Sequence, residues 1–266
     1  MSPKSNVSSL YYKTKLCVHN LCFYNMLNKD GYCFLWHEGE GGLTAEEFSS
    51  CFYSFLETKV IPAMEKDNRK IIMWSDGCTY QNRNVTLANA ALNLCRKNDI
   101  TLEHKYLEVG HTQMQVDSMH ATIERRVNRV RINVPADYAY HCKKARKNLK
   151  PYEVMYLDHS FFRSFKKVEA IRSIRPGKKL GEPKVTDIRG LKYTPAGDIY
   201  YKLRMSDEWE LLPQRKSQVD IIAWTELDHL YKDNIPISAR KYSDLQEIKC
   251  TIPADYHHFY NNLPHL

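Results

Sequence analysis

The sequence predicts an α/β fold: a mixed sheet flanked by helices, followed by a smaller basic α+β region. Three observations lead there. Up to about residue 135, short β-forming runs alternate with stretches of helical apolar periodicity. Apolar residues make up 43% of the 266-residue chain and charged residues 26%, the balance of a globular protein. Beyond residue 135 the pattern changes to short strands, proline breaks and lysine- and arginine-rich runs. The expected division is therefore residues 1–135 and residues 136–266.

Residues 15–25, KLCVHNLCFYN, and 31–37, GYCFLWH, are rich in aromatic and β-forming residues around the break MLNKD, and they predict an antiparallel hairpin. Thr44 followed three residues later by Glu47 predicts a capping box. The helix it opens carries Phe48, Cys51, Phe52, Phe55 and Leu56 on one face and stops near Pro62. Ile71-Ile72-Met73 reads as the middle of a central strand over 70–75. Gly77 supplies its sharp exit, and a helix follows over 82–97 with Val85, Ala88, Leu92 and Cys95 as its stripe. Residues 100–107, ITLEHKYL, alternate as a strand does. A helix from about Asp117 then repeats Met119, Ile123, Val127 and Val130 at core spacing. The order β-β-α-β-α-β-α places the four strands in one mixed sheet. In the basic remainder, residues 184–212 predict short strands around the turn TPAGD, with Trp209 as the core aromatic, and two helices close the chain.

Composition narrows the function classes. A formal charge of +8 is compatible with a nucleic-acid partner. No apolar run reaches membrane-span length and MSPKSNVSSLYYK has no signal-peptide core, so a soluble intracellular protein is expected. Eight cysteines without any C-x-x-C pair exclude zinc-finger spacing and argue against a disulfide framework.

The residues able to carry chemistry cluster in two places. WSDGCTYQN puts Asp76 where a strand ends, the region in which open α/β sheets gather ligands, although an aspartate there also caps turns. GHTQMQVDSMHATIERR places Asp117, His120 and Glu124 on one helix face, with His111 and Thr112 just before it. Carboxylates and a histidine at one point suit a hard divalent cation such as Mg²⁺ or Mn²⁺ and phosphoryl-transfer chemistry; a solvated helix face is the equal alternative. Arg125, Arg126, Arg129 and Arg131 lie on the other sides of that helix, where they either follow a phosphate backbone or face solvent.

Ser75-Asp76-Gly77-Cys78 with Gln81-Asn82, then Gly110-His111-Thr112, Asp117, His120 and Ile123-Glu124, together resemble a eukaryotic transposon-derived family with a ribonuclease H-like (DDE transposase-like) domain of unknown function. YYKTKLCVHN and CFLWHEGEGG match the same family, so the resemblance covers roughly residues 1–135. It implies a ribonuclease H-like fold in which three acids hold two metals. Asp76 matches the second acid and Asp117 the third, with Glu124 competing; Gln81, Asn82, His111 and Thr112 would support them. The first acid has no match, since MSPKSNVSSL contains none. The expectation is a nuclear, transposon-derived protein whose ancestral DNA phosphoryl transfer is impaired or lost. The alternatives are a non-catalytic nucleic-acid or protein interaction module and a single-metal hydrolase using Asp76, Asp117, His120 and Glu124.

Overall fold

A computed structural model describes residues 12–65, 67–108, 114–213 and 217–266. Along the chain run β1 (Val18–Tyr24), β2 (Gly31–His37), α1 (Ala45–Phe55), β3 (Lys70–Ser75), α2 (Val85–Asn98), β4 (Thr101–Tyr106), α3 (Gln115–Val127) and α4 (Pro135–Lys143). They are followed by β5 (Glu153–Tyr156), β6 (Gly190–Tyr193), β7 (Ile199–Lys202), β8 (Glu210–Leu211), α5 (Ala239–Lys249) and α6 (His257–Asn261). The elements gather into two units, each assembled from separated stretches. Unit 1 takes Met1–Gly42, Gln113–Phe161 and Tyr231–Leu266; unit 2 takes Leu43–Thr112 and Phe162–Leu230. Residue 135, where the composition changes, opens α4 inside unit 1.

Unit 1 holds a three-stranded sheet in the order β1-β2-β5. β1 and β2 form the expected antiparallel hairpin, in register from Val18 beside His37 to Tyr24 beside Gly31. β5 adds in parallel to the other edge of β2. β2 is therefore central and buried along its whole length, which is why GYCFLWH lacks a polar alternation. Met119, Ile123 and Val127 of α3 join Cys33, Leu35, Tyr138, Cys142 and Tyr152 in one core, as the helical stripe predicts. With Ile123 only 1% exposed, its truncation to alanine costs about 2–5 kcal/mol. A second cluster joins Leu16 to Leu245 and Ile248 of α5 and Tyr260 of α6.

Unit 2 holds a five-stranded sheet in the order β3-β4-β6-β7-β8, with β3 and β4 parallel and the remaining pairs antiparallel. The Thr44–Glu47 capping box opens α1 as expected, with Thr44 N–H donating to the Glu47 carboxylate at 2.9 Å. The Asn84 side chain accepts from Leu87 N–H at 2.8 Å and starts α2. α2 packs against α1 and lies on β4 and β6. Its buried Asn89 is satisfied by the Ala170 and Ile171 backbone, which ties the second stretch of the unit to the first.

Three expectations change. The strands form two sheets rather than one, because β2 pairs with β5 and β4 with β6, partners far along the chain that no local pattern encodes. β3 is the edge strand of its sheet, not a central one: Ile71 is buried, but Ile72 is 50% and Trp74 43% exposed. Trp209 is only half-buried; it lies over Gly190, with the Lys192 and Lys202 ammonium groups 5.1 and 4.5 Å from its ring. No helix among the described residues is long and apolar enough to cross a membrane.

Candidate functional site

In unit 2 the parallel register sets Ser75 beside Tyr106, so β3 and β4 end together. Leu102, His104 and Tyr106 point to the same face of β4, and all three are essentially inaccessible. His104 Nε2 lies 2.8 Å from Ser75 Oγ, and its Nδ1 lies 3.3 Å from the Tyr106 hydroxyl. That hydroxyl donates to the Asn82 carbonyl at 3.0 Å. The Ser75 hydroxyl in turn donates to the Asp76 carbonyl at 2.9 Å, so each hydroxyl beside the ring has a backbone acceptor of its own. Arg83 is 5% exposed, stacks 4.5 Å above the Tyr106 ring, and donates to the Thr186 carbonyl at 2.7 Å. Burial first, and the Arg83 charge second, push the His104 pKa down to about 3, so the ring is neutral at physiological pH.

Asp76 follows directly and is half-buried. Its Oδ1 accepts from the Asn82 side-chain amide at 2.7 Å and lies 3.4 Å from Cys78 N–H. The backbone N–H groups of Asn82 and Arg83 both donate to the Cys78 carbonyl, closing the loop. This is the turn-capping role of an aspartate. Gln81 donates to the Tyr80 hydroxyl at 2.9 Å. Gly77 is not among the positive-φ residues, so its backbone conformation does not itself require glycine. A Cβ there would sit 2.4 Å from Arg83 Nη2: glycine makes room for the guanidinium.

In unit 1, Asp117 is the third residue of α3, and its Oδ2 accepts from Met114 N–H at 2.6 Å. It closes the helix start, where a carboxylate is also favoured by the helix dipole. His120 and Glu124 follow on the same face, and all three are exposed. His111 and Thr112 lie outside the described residues. Asp76 thus belongs to unit 2, and Asp117, His120 and Glu124 to unit 1. Among the described residues no three His, Cys, Asp or Glu side chains gather in a way that fits a metal ion. Asp76 and Asp117 each cap their own segment.

The four arginines near α3 differ from one another. Arg125 folds back onto Ala121 and Thr122 of its own helix, Arg131 donates to the Thr251 carbonyl, and Arg129 is exposed. Arg126 instead lines a cavity of about 430 Å³ with Lys143, Lys144, Arg146, Lys147 and Pro151. Sequence reasoning missed this cavity and the His104 cluster. YHCKKARKNLKP carries the signal for the first, and the alternation Leu102, His104, Tyr106 carries it for the second.

Residues 4–168 match the family described as a domain of unknown function (DUF8701), more than half of the chain, and the chain belongs to that family. No curated protein and no solved structure matches it.

Proposed function

We propose that this chain is a transposon-derived, ribonuclease H-like-descended protein that binds nucleic acid without cutting it, and that it acts in the nucleus. The observation that carries the second half is Asp76. The acid that the resemblance assigns to a metal has its Oδ1 engaged by Asn82 at 2.7 Å and faces Cys78 N–H at 3.4 Å, as a structural cap. Asp117, the other matched acid, closes the start of α3 in the same manner. The resemblance supports descent from a DNA-processing enzyme, and the charge of +8 supports a polyanionic partner.

The test is a strand-cleavage assay on labelled duplex DNA with Mg²⁺ or Mn²⁺, using the wild-type chain and Asp76→Ala. Neither protein should cleave. The variant should lose about 1–2 kcal/mol of stability in urea denaturation, through the lost loop hydrogen bonds. Cleavage by the wild type that disappears in Asp76→Ala would overturn the proposal and return the chain to the metal-dependent hydrolases.

A further inference from the structure

We propose that the cavity lined by Arg126, Lys143, Lys144, Arg146, Lys147 and Pro151 in unit 1 is a phosphate-binding site that grips a nucleic-acid backbone. It gives the nucleic-acid reading above a place on the molecule, and it stands whether or not Asp76 supports cleavage.

The local chain explains how the charges converge. α4 ends at Lys143 with Lys144 as its cap, and the chain turns immediately, so Arg146 and Lys147 swing back beside the helix end. Arg126 reaches the same cavity from α3. A helix C-terminus favours one or two cations in its last turn through the dipole, and Lys143 meets that need. It does not account for Arg146 and Lys147, which lie past the helix, or for Arg126, which belongs to another one.

None of the five cations has a carboxylate partner among the described residues. Lys144 bonds the Tyr140 hydroxyl and sits 4.2 Å above that ring. Arg146 bonds the Lys150 and Lys29 carbonyls and stacks on Tyr152 at 4.6 Å. The nearby Asp30 is taken by Lys150 at 3.1 Å. Arg126 Nε is buried without a hydrogen-bond partner, and so is Nδ1 of His141, on the α4 turn between Tyr140 and Lys144. Most basic runs on a surface either alternate with acids or point apart into water. Here five basic residues line one open depression, and a buried guanidinium donor is unsatisfied. An anion with several oxygen acceptors completes that donor and lies among the cations. The depression is open to solvent, and exposed Lys143, Lys144 and Lys147 at its rim suit a phosphate that arrives attached to a chain.

The experiment measures binding of the full chain to a short fluorescein-labelled DNA duplex by anisotropy, across about 50–200 mM salt. Three proteins are compared: wild type, Lys143→Gln/Lys147→Gln, and the control Lys178→Gln/Lys179→Gln, which removes two exposed lysines of unit 2. Both replaced rim lysines are exposed, so folding is preserved, and circular dichroism verifies it. Each phosphate contact contributes about 0.9 to the slope of log K against log salt. The cavity variant should therefore lose about 1.8 in slope and, near 0.1 M salt, roughly 60-fold in affinity (about 10 raised to 1.8). The control should bind as the wild type does.

Equal losses in both variants would show charge without a site and overturn the proposal. So would absence of duplex binding by the wild type, or saturation by inorganic phosphate or anionic vesicles when the duplex does not bind. Cleavage in the strand assay with the cavity slope intact would overturn only the role given to Asp76.

Discussion

Lowering the pH from 7 to 5 should destabilise unit 2 by about 2 kcal/mol through His104 alone. In the unfolded chain a histidine titrates near 6.5. In the folded unit, His104 is 1% exposed beside Arg83 and titrates only near 3. Below 6.5 the unfolded state therefore binds a proton that the folded state refuses. The stabilisation is complete above about pH 6.5 and is lost progressively as pH falls towards 3, at about 1.4 kcal/mol per pH unit in the steep range. Integrating between pH 7 and 5 gives about 2 kcal/mol. Other groups also titrate, so the quantity to measure is the difference between wild type and His104→Gln. Glutamine can still hydrogen-bond Ser75 but takes no proton. The variant should be about 1–3 kcal/mol less stable at pH 7, yet lose about 2 kcal/mol less on going to pH 5. Urea denaturation followed by tryptophan fluorescence suits the measurement, because Trp74, Trp209 and Trp224 all lie in unit 2. Identical pH dependence in the two proteins would refute the placement of a buried neutral ring there.

Two further stability predictions accompany the cleavage and binding tests. Gly77→Ala should cost about 1–3 kcal/mol in urea denaturation, since its Cβ displaces a guanidinium pinned by Thr186 and Tyr106; a neutral effect would mean that Arg83 is free to move. Thr44→Ala removes one half of the capping box of α1 and should cost about 1 kcal/mol, whereas Thr44→Asp should cost much less; equal losses would show that capping does not set the start of that helix.

The local elements were readable in the chain because their causes are local. The Asn25–Asp30 turn, the Thr44–Glu47 box and the α3 stripe each depend on residues a few positions apart. Pairing was not readable. Nothing in GYCFLWH names Glu153–Tyr156 as its third strand, and nothing in ITLEHKYL names Gly190–Tyr193. The same limit applies to Asp76: its place at a strand end was visible, while the engagement of its Oδ1 by Asn82 depends on how six residues of loop close. His104 was visible as an inward position of an alternating strand, but a histidine there reads as an ordinary polar residue until Ser75, Tyr106 and Arg83 are brought around it.

The interleaving of the two units fixes an order of completion on the ribosome. Both stretches of unit 2 have emerged once Leu230 is made, whereas unit 1 needs Tyr231–Leu266 to join stretches made before it. At roughly 5–20 residues per second, about 10–40 s separate Gly42 from Tyr231. For that interval the β1–β2 hairpin can form, since it is local, but Leu16 has no Leu245 or Ile248 to pack against. The stretches alternate along the chain, and unit 2 has both of its own before unit 1 has its third. Leu16 therefore stays without its α5 partners until after the last stretch of unit 2 has been made.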